Sequence, residues 1–114
     1  MTMGDKEFND KLQEHFDDMN TVGLGELMLF GSDFERFCES DARYNRLLNA
    51  VKDVCGYHTS AREFAKMITR EEFCKKYHIG ELSALGLKLY LFYCCGVDWN
   101  NPNKKVVGFG EIED

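Results

Sequence analysis

Proline occurs once in this chain of 114 residues, at Pro102. Helix-breaking chemistry is therefore nearly absent from the first hundred positions, which suits an α-rich fold. Long apolar runs are missing as well. The longest nearly uncharged stretch, residues 82–97, is too short to span a bilayer and is interrupted by Lys88. Met1–Asp10 is charged and lacks the apolar stretch of a signal peptide. The five cysteines, Cys38, Cys55, Cys74, Cys94 and Cys95, form an odd set without a C-x-x-C pair. That argues against a secreted disulfide framework and for reduced thiols, so a soluble, cytoplasmic protein with no membrane partner is expected. Excess positive charge is lacking too. The net charge of −6 disfavours a generic binder of nucleic acid or anionic membrane.

What is present is a well-stocked single domain. Hydrophobic residues make up 44% and aromatics 13%, enough to build a core without staples. The acidity is unevenly spread. Residues 1–40 hold ten acids and three bases, whereas residues 41–88 hold six acids and nine bases. The central segment is thus the part compatible with a polyanionic partner. No repeat of fixed period and no low-complexity segment breaks the chain. Three parts are expected: an acidic N-terminal helical segment over 1–39 packed on the core, a core over 40–99, and a turn and tail over 100–114.

Glu7–Met19 predicts an amphipathic helix on which Phe8, Leu12, Phe16 and Met19 recur at helical spacing, with Asp and Glu elsewhere around it. Residues 20–31 read equally as a short buried helix between glycines or as a folded-over loop. Ser32 and Glu35 have capping-box spacing and predict a short helix presenting Phe34 and Phe37. Ser40 or Asp41 caps the next helix, whose stripe is Tyr44, Leu47, Leu48, Val51, Val54 and Cys55, and Gly56 stops it. Ser60 with Glu63, and Thr69 with Glu72, are two further boxes. The first opens a helix with Phe64, Met67 and Ile68 inward; the second opens one carrying Phe73, Cys74 and Tyr77. A turn marked by Gly80 leads into a helix from about Leu82 to Cys95, expected to bury Leu85, Leu89, Phe92 and Tyr93 and to stop at Gly96-Val97. Asn100-Asn101-Pro102-Asn103 is turn chemistry. Lys104–Ile112 then reads as an edge strand, a clasp over the bundle or a mobile tail. The expected fold class is all-α, a compact bundle of five or six short helices with a short extended C-terminal tail.

Chemistry is sparse. His15, His58 and His78 lie far apart, and no His/Cys pair is read as a metal site. No nucleophile motif accompanies the cysteines, and the carboxylates fall where solvated helix faces put them. No enzyme, cofactor or metal is therefore expected. Tyr90, Phe92 and Tyr93 sit at helical spacing and are expected in the core. Trp99, beside Asp98 and the asparagine turn, is the exception, a candidate for exposure toward a partner under the alternative reading below.

Residues 40–98 carry an ordered set of signals. Tyr44-Asn45-Arg46-Leu47 lies in a capped helix, followed by Thr59-Ser60-Ala61-Arg62-Glu63-Phe64 and Thr69-Arg70-Glu71-Glu72-Phe73. The turn Ile79-Gly80-Glu81-Leu82-Ser83, an apolar helix and the Gly96-Val97 stop complete it. This order resembles the C-terminal domain of the bacterial RNA polymerase α subunit, a member of the helix-hairpin-helix group, over roughly half the chain. The resemblance implies a helix-hairpin-helix core that contacts DNA phosphates and the minor groove. Asn45, Gly80 and Ser83 match the family's contact residues, with Ser83 expected to cap the second hairpin helix.

Departures from the family pattern weaken the expected affinity. Ala42 stands where the family has arginine, with Arg43 one residue away, and Glu81 and Leu82 replace its two basic hairpin residues. The connection between Asn45 and Gly80 is also longer. Arg43, Arg46, Lys75, Lys76 and Lys88 are the charges expected to converge on one face and supply compensation. The functional expectation is an accessory module of a nucleic-acid or transcription-associated complex, binding DNA weakly and salt-dependently or docking on a DNA-associated protein. The alternative is an acidic protein-binding regulator or inhibitor, a DNA mimic using Asp10, Glu14, Asp17, Asp18 and Trp99, with the fold only as scaffold.

Overall fold

A computed structural model describes residues 5–30, 34–38, 40–107 and 111–113, with side chains over the parts of these between residues 6 and 104. Among the described residues six α-helices follow one another: α1 (Asp5–Met19), α2 (Leu24–Phe30), α3 (Asp41–Cys55), α4 (Ala61–Met67), α5 (Arg70–Tyr77) and α6 (Glu81–Cys95). Among the same residues a 3-10 turn, Phe34–Phe37, lies between α2 and α3 in the chain. The chain is all-α in class, and its radius of gyration of 14.1 Å is that of a compact chain of this length. Residues 24–30 are thus helical, which settles the open reading of that stretch. The expected Ser32 cap lies outside the described residues. At the C-terminus β1 (Lys105–Val107) pairs antiparallel with β2 (Glu111–Glu113), Val106 opposite Ile112.

Side-chain caps set several helix ends. Ser40 Oγ accepts the Arg43 N–H at 3.2 Å and starts α3, and Gly56, at φ 74°, ends it. Ser60 Oγ accepts the Glu63 N–H at the start of α4. Thr69 and Glu72 complete a reciprocal box at the start of α5, each side chain accepting the other's backbone N–H at 3.1 Å. The Thr69 backbone N–H first, and then the Thr69 hydroxyl, hold the Glu72 carboxyl below its usual range.

The chain reverses between α5 and α6 over His78-Ile79-Gly80. The left-handed residue of this turn is His78, at φ 54° and ψ 43°, and not Gly80, which has an ordinary φ of −68° and is the N-cap of α6. The N–H of Ile79 closes the turn onto Cys74 O at 3.0 Å while its side chain enters the core. At the far end of α6 Gly96 is left-handed and the Val97 N–H reaches back to Leu91 O at 2.9 Å, the expected stop.

Helix α6 is the centre of the bundle, touching α1, α3, α4, α5 and the 3-10 turn. Its buried face is Ser83, Ala84, Gly86, Leu87, Tyr90, Leu91 and Cys95, which corrects the expected one. Leu85 is exposed, Tyr93 is exposed, and Leu89 and Phe92 are only half-buried. The helix is apolar around most of its circumference, so spacing alone does not tell which side its neighbours cover. Met67 is likewise turned outward, at 56% exposure, while Phe64 and Ala65 carry the inner side of α4.

Close backbone approach fixes one contact of α6. A Cβ on Gly86 would lie 2.4 Å from the Phe37 carbonyl oxygen, so only glycine admits the 3-10 turn here. That turn delivers the Phe34 and Phe37 rings edge-on to Tyr90, at 5.0 and 5.6 Å. The N-terminal segment packs on the core through Phe16, which lies against Gly96, and through Asn20, whose Nδ2 donates to Phe16 O and Cys95 O. Tyr77 ties α5 to α3 by donating its hydroxyl to Asp53 Oδ2 at 2.6 Å. Burial first, and then that carboxylate, push the Tyr77 phenol up to about 12.

Candidate nucleic-acid interface

Two helix ends meet at the candidate site. Helix α3 buries Leu47, Leu48, Ala50 and Val51; at the edge of that face Arg43 is half-buried and Arg46, one turn on, is exposed. The N-terminus of α6 comes alongside because the reversal at His78 delivers it there. Arg43, Arg46 and Ala42 from α3, with Gly80, Glu81, Leu82 and Ser83 from α6, line a groove of about 450 Å³. No side chain caps α6 at Gly80, so its first N–H groups and the positive end of its dipole point into this region.

Ser83 is not a cap. It lies inside the first turn of α6 and is 9% exposed. A Cβ on Gly80 would meet nothing within 4 Å, so neither crowding nor backbone angle demands glycine at this position. Glu81, the one acidic lining residue among those described, adds a carboxylate to the groove that holds the two arginines. Asn45 is exposed on α3 but is not part of the lining; it lies about 100° around the helix from Arg46.

The remaining cations do not all gather here. Lys75 lines a second hollow of about 460 Å³ between α5 and α6, together with Arg70, Glu71, Glu72, Cys74 and Glu81. Glu81 therefore stands between the two hollows. Lys76 lies over the Tyr77 ring, 5.4 Å from its centre, and Lys88 is half-buried two turns further along α6. Arg43 and Arg46 converge with Gly80 and Ser83; Lys76 and Lys88 are not among the lining residues of either hollow. Sequence reasoning missed Arg70, although the Thr69 cap fixes it at the first position of α5 and so beside Glu81.

The acidic surface is also in place. Asp10, Glu14, Asp17 and Asp18 are exposed on α1, with Asp10 bonded to Lys6 at 3.0 Å and Asp17 accepting from Gln13 at 2.9 Å. Trp99 does not join them. It is 3% exposed, donates its indole N–H to Ile68 O at 2.9 Å, and stacks 5.5 Å from both Phe64 and Phe73. Its position beside a polar turn suggested exposure, but the indole plugs the gap between α4 and α5. That removes it from any contact surface.

Four of the five thiols are quiet. Burial pushes Cys38 up to about 11, with Arg43 pulling the other way and Glu35 adding to the rise, and burial raises Cys55, Cys74 and Cys95. These groups stay protonated near neutral pH and are poor nucleophiles there. Among the described residues no group of three or more His, Cys, Asp or Glu side chains is placed to hold a metal ion. No helix among them is long and apolar enough to cross a membrane. Compared with protein-family models, curated proteins and solved structures, the chain matches none.

Proposed function

We propose that this chain is a non-enzymatic accessory module of a nucleic-acid or transcription-associated complex. Its α3–α5–α6 unit acts as a helix-hairpin-helix core that holds a DNA phosphate at the groove between α3 and α6. One observation carries the reading: Arg43 and Arg46 share that groove with the uncapped start of α6. A helix N-terminus with flanking guanidinium groups is suited to a phosphate oxygen. Gly80 adds support, because its missing side chain serves no packing need inside the chain yet leaves the backbone open to close approach. Glu81 opposes the same anion and keeps the affinity low.

Two or three phosphate contacts predict a tenfold to fortyfold loss of affinity between about 50 and 200 mM salt. Fluorescence anisotropy with a short duplex and a single strand reads this directly. The expected result is weak binding that falls with salt, drops further on Arg46→Ala and tightens on Glu81→Gln. Binding that is absent at low salt, or indifferent to Arg46, refutes it.

A second reading has its own observation. Asp10, Glu14, Asp17 and Asp18 fall within about 100° of one face of α1, opposite Phe8, Leu12, Phe16 and Met19. Such a face fits a basic protein surface, with the rest of the fold as scaffold. Absence of DNA binding, together with salt-sensitive binding to a basic protein that is lost on Asp17→Lys with Asp18→Lys, favours this reading over the first.

A further inference from the structure

The groove between α3 and α6 holds an unused hydroxyl. Ser83 is only 9% exposed, yet its Oγ makes no hydrogen bond to any described residue. Nor is that atom sealed off, because no fully enclosed side-chain oxygen or nitrogen among the described residues lacks a partner. Its open side is the groove it lines, beside Arg43, Arg46 and the uncapped first turn of α6. A hydroxyl, two guanidinium groups and free backbone N–H groups make a donor set for one anion. The groove, at about 450 Å³, has room for more than that anion. Glu81 is the odd member, since a carboxylate accepts and cannot donate. It is the one residue, among those described, common to this groove and to the hollow between α5 and α6. There Glu71, Glu72 and Glu81 outnumber Arg70 and Lys75, so the second hollow is no seat for a second phosphate. Sugar hydroxyls, which donate to carboxylates, suit it.

We infer that the groove is a ribose-phosphate site in which Glu81 accepts a 2′-hydroxyl, so that it selects an RNA strand over a DNA strand. The inference rests on the phosphate reading above and adds what the ligand's sugar must be. In either nucleic acid the sugar adjoins the phosphate. A phosphate held by Arg43, Arg46 and Ser83 therefore carries its sugar past Glu81, which stands between the two hollows. Deoxyribose within a strand offers no hydroxyl there and leaves the carboxylate as bare repulsion. Ribose offers the 2′-OH, the group by which a protein tells RNA from DNA at a given site. A hydrogen bond to an ionised acceptor is about twice as strong as a neutral one. Glu81 is exposed, which limits the preference to about fivefold to tenfold. The carboxylate that lowers affinity for DNA thus supplies selectivity.

Fluorescence anisotropy of the full chain at about 50 mM salt tests it with single strands of equal length: oligouridine, oligodeoxyuridine and 2′-O-methyl oligouridine. The strands differ only at the 2′ position. Oligouridine is expected to bind about fivefold to tenfold more tightly than the other two. The 2′-O-methyl strand keeps the oxygen but has no proton to donate. Glu81→Ala tightens oligodeoxyuridine and abolishes the preference, and Ser83→Ala weakens all strands alike, with circular dichroism unchanged in both. No binding to any strand overturns the inference together with the phosphate reading. Binding that Arg46→Ala removes but that does not distinguish the strands overturns the inference alone. So does a preference that survives in Glu81→Ala or extends to the 2′-O-methyl strand. Unchanged binding in Ser83→Ala overturns the placement of the phosphate beside that hydroxyl.

Discussion

Replacing Gly86 by alanine sets two effects of opposite sign against each other on one helix. In an exposed helix interior the change is favourable by about 1 kcal/mol, because alanine loses less backbone freedom. Here the new Cβ would sit 2.4 Å from the Phe37 carbonyl oxygen, whereas Cβ contacts essentially never fall under 3.0 Å. The 3-10 turn must therefore retreat from α6 by at least 0.6 Å, the difference between those two distances. The obstacle is backbone, so no side-chain rotation relieves it. Retreat also pulls Phe34 and Phe37 from their edge-on contacts with Tyr90, at 5.0 and 5.6 Å. Overpacking of this kind costs about 1–3 kcal/mol, and lost aromatic geometry adds about 0.5–1 kcal/mol. The steric cost wins, leaving a net destabilisation of about 1–2 kcal/mol and a fall in Tm of about 5–10 °C. Thermal unfolding followed by circular dichroism measures it. Gly80→Ala is the control on the same helix: a Cβ there meets nothing within 4 Å, so only a capping preference of about 0.5–1 kcal/mol is lost. A Gly86→Ala protein more stable than wild type would refute the placement of Phe37 against α6.

Other perturbations read other joints of the fold. Trp99→Ala empties the space against Phe64 and Phe73 and should cost about 3–5 kcal/mol in denaturant unfolding, far more than any loss at an exposed tryptophan. Thr69→Ala removes the reciprocal cap and should cost about 1 kcal/mol, seen as early exchange of the α5 amides. His78→Gly relieves a left-handed non-glycine residue and should raise Tm by a few degrees, a gain of about 0.5–1 kcal/mol. Tyr77→Phe should cost about 0.5–1 kcal/mol near neutral pH, the low end because the bond to Asp53 is solvent-exposed. The folded phenol is raised from 10.0 to about 12, so its contribution is complete below 10 and is lost as pH rises toward 12. Wild type and Tyr77→Phe should therefore converge in stability across that window.

Local chemistry made helix ends readable. Ser40, Ser60 and Thr69 act through atoms three residues away, so their roles follow from spacing alone, as does the stop at Gly96. The inner stripe of α3 was equally plain, because its other face is polar. The orientation of α6 was not legible, since leucine and aromatic residues surround it and only its neighbours decide which are covered. Trp99 shows the same limit: a hydrogen bond to Ile68 and two ring contacts, all remote in sequence, decide its burial. At the reversal, glycine drew attention to position 80, yet the left-handed angle fell on His78, which chain geometry alone can assign. The resemblance carried Asn45, Gly80 and Ser83, with Arg43 and Arg46 offered only as compensating charges; the groove brings the two arginines to Gly80 and Ser83 and leaves Asn45 outside its lining. Lys76 and Lys88, grouped with them by charge, belong to other surroundings.

The central functional claim concerns one place on the surface, and an NMR titration of the labelled chain with a short DNA duplex at low salt addresses it most directly. The account predicts that amide shifts concentrate at residues 42–46 and 80–83 and shrink as salt is added. Shifts confined to α1, or none at any ratio of duplex to protein, would contradict it.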